Sequence, residues 1–162
     1  MSGATQCDPS AEAESVGLIP GTDRRPADIL TTALGNGMTA IDVGITSPDA
    51  QLAGIDCTET MYLKKMNYYR PHFAALEQQN IDHVPIIWSS YGRPHARTLS
   101  VLCTLSKRIS RRRGTACAAE VFKHLHASIT IEIWRRAAHQ VFSCWPVDRG
   151  WSELLDNSHE DT

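Results

Sequence analysis

Asp28 and Asp42 are the residues that call for a chemical explanation first. Each is the one carboxylate of a short apolar run, Ile29–Leu34 preceded by Asp28, and Met38–Ile45 around Asp42. A carboxylate in a strand that reads as buried costs stability unless it is paired or binds a cation. Two carboxylates brought together from neighbouring strands form a hard oxygen site of the kind Mg²⁺ accepts. Lys64 and Lys65 follow on the next helical segment. A lysine beside such a site can offset the charge that builds on a phosphate during hydrolysis. Each residue also has a plainer role. Asp28 suits a turn or cap after Pro26, Asp42 the solvent side of a half-exposed strand, and Lys65 a solvated helix face.

The elements that must position these residues are legible around them. Gly35-Asn36-Gly37 between two β-prone runs is a hairpin signal. In the second run Thr39, Ile41, Val43 and Ile45 share one face, and Ala40, Asp42, Gly44 and Thr46 the other. Register stays open, because a one-residue slip reverses every side chain. Met66, Tyr69, Phe73 and Leu76 recur at helical spacing, with Pro71 as an interruption and Asn80 as a stop. His83–Ser89 reads as a strand in which Pro85 favours an edge or a strand start. Leu99, Leu102, Leu105 or Ser106, and Ile109 form an apolar stripe ending in Lys107, Arg108, Arg111, Arg112, Arg113 and the stop Gly114. Val121, Leu125, Ile129 and Ile133 continue as a long helix in which ITIEIW is helical despite its alternation. Trp88 and Trp134 read as core.

The expected fold class is α/β: a small mixed sheet with strands near 28–33, 39–46 and 83–88, flanked by helices near 58–79, 97–112 and 116–144. The helix after the second strand should bring the third strand beside the hairpin. The expected division is a disordered acidic arm over 1–23, in which 15–19 is a candidate short strand, an α/β core over 24–95, a basic helical extension over 96–146 and a loose acidic tail over 147–162.

Composition narrows the function classes. A hydrophobic content of 42% with 21% charged residues suits a globular chain. No apolar run approaches the ~20 residues of a membrane span, and the N-terminus does not read as a signal peptide. The five scattered cysteines argue against a disulfide framework and for an intracellular setting, nuclear or cytoplasmic. Without CxxC or HxxxH spacing a structural zinc has little support. The net charge of −2 hides balances of −7 over residues 1–59, +9 over 60–140 and −4 over 141–162. A basic middle is compatible with a polyanion surface, but charge alone favours solvated helix faces.

Arg25-Pro26-Ala27-Asp28, thirteen further residues, then Asp42-Val43 resembles the basic-Pro-Asp…Asp signature of restriction-enzyme-like endonuclease domains. These belong to the PD-(D/E)XK nuclease superfamily and lie C-terminal to the reverse transcriptase in site-specific non-LTR retrotransposons. Lys64-Lys65…Tyr69, Val84-Pro85-Ile86-Ile87, Ser90-Tyr91-Gly92-Arg93-Pro94-His95, the Arg-rich helix and Trp134-Arg135-Arg136 are similar to the downstream blocks, so the resemblance spans about Thr22 to Pro146. It implies a Mg²⁺ (or Mn²⁺) site on Asp28 and Asp42, with Lys65 or Lys64 as the catalytic lysine. It also implies DNA, and element RNA as a second ligand, as partners. Arg93, His95, Lys107, Arg108, Arg111, Arg112 and Arg113 are the candidate phosphate contacts. Two departures stand out. Ala27 separates Pro26 from Asp28, and Gly44 holds the place of the lysine in the acid-X-Lys triplet. The superfamily core also has a helix and a strand before its first acid, and the parent element a polymerase. The expectation is therefore a core shortened at its N-terminus, either a working nuclease domain or a decayed remnant that binds nucleic acid or serves structurally.

Overall fold

The computed structural model describes residues 12–13, 18–19, 26–35, 37–50, 54–114 and 117–144. Its centre is the strand β3, Met38–Thr46, rich in β-branched residues on one face and small ones on the other. Two shorter elements precede it, β1 (Glu12–Ala13) and β2 (Ile29–Thr31), and β4 (Ile81–Ser89) follows. The sheet order is β1-β2-β3-β4, antiparallel at the first two junctions and parallel between β3 and β4. The parallel junction requires a crossover. It is made by α1 (Cys57–Tyr69), a 3₁₀ turn (Arg70–His72) and α2 (Phe73–Gln78).

Pro71 explains why the apolar pattern over 58–79 becomes two helices. It lacks the N–H an α-helix needs and sits at the start of the 3₁₀ turn. Asn80, at φ 57°, ends the crossover in the left-handed conformation. Pro85 is accommodated because β4 is an edge strand. The N–H of Ile87, two residues on and pointing to the same edge, donates outward to Thr98 Oγ1 at 2.8 Å. The missing N–H of Pro85 therefore falls on the outer side and removes no bond from the ladder with β3.

The β2–β3 connection differs from a tight Asn-Gly hairpin. Pairing stops at Thr31↔Thr39, and residues 32–37 form the connection. Thr31 Oγ1 accepts from Ala33 N at 3.0 Å, which bends the chain out of the ladder. The Arg108 guanidinium then takes the carbonyls of Thr32 (3.3 Å), Ala33 (2.8 Å) and Gly35 (3.5 Å). These carbonyls find a helix side chain instead of β3. Asn36 lies outside the described residues.

Helices cover both faces of the sheet along β4. Leu30, Ala40 and Ile81 pack with Tyr69 and Leu76 of the crossover. Ile86 and Trp88, of opposite parity in β4, pack with Leu102 and Ile133 of the last two helices, α3 (Ala96–Arg113) and α4 (Ala118–Cys144). On that second face β3 is less covered, with Val43 36% and Ile45 52% exposed. The ITIEIW segment is helical, as its flanks imply. Trp88 is core, whereas Trp134 is half exposed. Ile133 already points at α3, and the next residue on a helix lies about 100° around the axis.

The segments 96–146 and 24–95 share these contacts, since α3 lies on β4 and α4 on α3. Of the arm over 1–23, Glu12–Ala13 pairs with β2, and Ile19 is buried in the first apolar cluster. Of the candidate strand over 15–19, Leu18 and Ile19 form a bend and 15–17 lie outside the described residues, as do the remainder of the arm, Arg24, Arg25 and the tail over 147–162. Among the described residues no helix is long and apolar enough to cross a membrane.

Candidate functional site

The antiparallel register that pairs Ile29 with Ile41 and Leu30 with Ala40, carried one step further, brings Asp28 beside Asp42. Asp28 is held there at both ends. Its N–H donates to Ile41 O at 2.8 Å, and its Oδ2 accepts from Val43 N at 2.7 Å. The carboxylate thus does the work of a backbone acceptor at the open end of the β2–β3 ladder. It caps a strand rather than a turn or a helix.

Asp42 is buried, 6% exposed, beneath the crossover. Burial pushes its carboxyl pKa up, Lys65 opposes the shift by hydrogen bond and charge, and Asp28 adds to it by charge and hydrogen bond. Of the two lysines, Lys65 reaches the site. Its Nζ donates to Asp42 Oδ1 at 2.5 Å and to Val43 O at 3.0 Å. Lys64, one residue earlier on α1, is exposed. Gly44 makes room for this reach, since a Cβ there would lie 2.9 Å from Lys65 Cε and 2.7 Å from Ile87 Cδ1. The glycine where the acid-X-Lys triplet would have its lysine is the space through which the helical lysine passes.

His83 joins the group without a warning in the sequence. It sits opposite Ala40 in the parallel ladder, on the Asp42 face, with its ring against Tyr69 (4.7 Å) and Phe73 (5.9 Å). Its Nε2 lies 3.9 Å from Asp42 Oδ2. Burial, reinforced by the positive charge of Lys65, lowers its pKa to about 4, so the imidazole is neutral at pH 7. Among the described residues, Asp42 Oδ2 and both ring nitrogens of His83 are buried without a hydrogen-bond partner. Only a parallel register between β3 and β4 brings His83 here, and local sequence does not encode that register.

Arg93 and His95 are engaged elsewhere. Arg93 makes a two-pronged contact with Asp56, at 3.1 and 2.6 Å, and holds that carboxyl below the usual carboxylate range. Asp56 also caps α1, accepting from Thr58 N and Glu59 N. His95 Nε2 lies 2.7 Å from Glu59 Oε2, its ring stacks on Tyr62 at 4.4 Å, and its Nδ1 accepts from Arg97 N to cap α3. Both residues fasten the β4–α3 turn to the start of α1.

The basic cluster divides. Arg108 binds the β2–β3 connection, while Lys107, Arg111, Arg112 and Arg113 are exposed at the end of α3. Arg108 anchors that end of α3 beyond the Thr31↔Thr39 pair, and Asp28 and Asp42 lie at the other end of the ladder, about 10 Å away along the strand.

The two adjacent carboxylates suit Mg²⁺, which takes one or two protein carboxylates and otherwise keeps water or phosphate oxygens. Among the described residues no group of three or more His, Cys, Asp or Glu side chains is arranged to hold a metal ion. No protein-family model, no curated protein and no solved structure matches the chain.

Proposed function

We propose that the chain is a metal-dependent DNA endonuclease domain of the restriction-enzyme-like kind, derived from a non-LTR retrotransposon. It nicks target DNA so that the new 3′-hydroxyl primes reverse transcription. The observation that carries this reading is the meeting of Asp28, Asp42 and Lys65 from three separate elements, with Lys65 Nζ on Asp42 Oδ1. The two-residue strand β1 adds support, because the family resemblance calls for a strand ahead of the first acid. The helix it also calls for would fall on residues 1–11, outside those described.

Asp28 and Asp42 are the residues that hold the cation. When bound, Mg²⁺ or Mn²⁺ lowers the pKa of a water and neutralises phosphate charge. Lys65 has three N–H bonds and spends two of them on Asp42 and Val43 O. The third is free to face a phosphoryl oxygen as negative charge develops there. Lys107, Arg111, Arg112 and Arg113 hold the DNA backbone without reading sequence. Arg108, Arg93 and His95 act on DNA indirectly, through the loops they fix.

A second reading, an inactive retroelement remnant that binds nucleic acid or serves structurally, draws on the lack of a third metal-ligating side chain among the described residues. Plasmid nicking in Mg²⁺ or Mn²⁺ separates the two. Wild type is expected to relax supercoiled DNA and Asp42→Asn to leave it intact, with equal DNA retention in metal-free buffer. Equal nicking by both proteins overturns the nuclease assignment as argued. Absence of nicking from both, with DNA binding retained, favours the remnant.

A further inference from the structure

Asp42 Oδ1 has a clear partner in Lys65, but Oδ2 has none. A buried carboxylate oxygen without a partner is costly. His83 Nε2 lies 3.9 Å from Oδ2. That is too long for a hydrogen bond and within about 1 Å of one. The His83 side chain is 1% exposed, and neither ring nitrogen has a partner of its own. Tyr69 and Phe73 hold the ring from the other side.

We propose that His83 is a positioning residue for the metal site, its Nε2–H holding Asp42 Oδ2 so that Oδ1 faces the cation and Lys65. The inference rests on the metal-binding reading of Asp28 and Asp42 given above. Carboxylates that ligate metals are oriented by such outer partners, and loss of one costs about 10–100-fold in metal affinity or activity. Imidazole suits the task, because its Nε2 can carry the N–H that Oδ2 lacks.

The test is Mn²⁺ binding to the DNA-free protein, followed by the loss of the free-ion paramagnetic resonance signal, together with thermal unfolding of the same samples. The proteins are wild type, His83→Phe, His83→Gln and Asp42→Asn. Phe keeps an aromatic ring against Tyr69 and Phe73 but has no donor. Gln places an amide N–H near the Nε2 position. His83→Phe is expected to weaken Mn²⁺ binding about 10–100-fold without a lower midpoint of unfolding, and His83→Gln to recover most of the loss. Mn²⁺ binding by His83→Phe equal to wild type overturns the proposal. So does an equal loss in Phe and Gln that tracks their unfolding midpoints, which would make His83 a packing residue. If wild type and Asp42→Asn bind Mn²⁺ equally, the metal reading itself fails and this inference falls with it. That outcome is distinct from a failure confined to His83.

Discussion

Helix α1 carries two sets of charged contacts, and they differ in what they leave over. At its start, Asp56 and Glu59 meet Arg93 and His95 near solvent, with Arg93 54% and Glu59 50% exposed. The acceptors and donors there are well used: Asp56 binds Arg93 and caps the helix, and His95 caps another. Two turns later Lys65 meets Asp42 in a buried setting, and this pair leaves an oxygen and a histidine unpartnered. Exposed pairs contribute little energy but set geometry. A buried pair with unused polar atoms is poor as a structural device and suited to a ligand. The same helix is therefore fastened at one end and leaves unused polar atoms further along.

The sharpest way to break this contrast is to exchange a single atom at the buried pair. Asp42→Asn should bring nicking down to the background of a metal-free control while keeping the circular-dichroism spectrum of wild type. The next largest effect concerns pH. His83 titrates near 4 when folded and near 6.5 when unfolded. Between those values the unfolded chain binds a proton that the folded one refuses. Stability from neutral His83 is therefore complete above about pH 6.5 and falls as pH drops toward 4, by up to about 3 kcal/mol. Asp42, whose pKa is raised, acts in the opposite sense as it takes up its proton. Urea unfolding from pH 7 to 4 should show a decline that His83→Phe removes, and an identical decline in the variant would mean that another group is responsible.

Lys65→Met should cost about 2–3 kcal/mol in urea unfolding. That is below the ~3–5 of a fully buried pair because Lys65 is 21% exposed. Gly44→Ala should cost about 1–3 kcal/mol and lower nicking together with stability, since the new methyl displaces both Ile87 and the Lys65 stem. The smallest effect belongs to the exposed set. Arg93→Ala should move the unfolding midpoint by no more than about 2 °C. A loss larger than that of Lys65→Met would invert the comparison between the two ends of α1.

Much of the sheet was legible because its signals are local. The alternation in 38–46, Pro85 at an edge, Asn80 and Gly114 as stops, and the break at Pro71 each follow from a few adjacent residues. The adjacency of Asp28 and Asp42 needed only a register, and the structure supplies it. What stayed hidden depends on contacts distant in sequence. Lys64 and Lys65 could not be told apart until α1 was laid on β3. His83 became visible only when β4 was set parallel to β3 in register. Arg108 reads like one more phosphate-binding arginine, yet it serves the loop after β2. Trp134 reads like core because the stripe beside it is core.

The bond from Arg108 to Thr32 and Ala33 spans 76 and 75 residues. A nascent chain grows at roughly 5–20 residues per second, so the loop between the strands of Asp28 and Asp42 waits several seconds for its fastener to be made. Until then β2 and β3 are joined by a segment whose carbonyls have only water to bind. The loop between β2 and β3 is thus fastened by a residue made after both strands, from the C-terminal side of the chain.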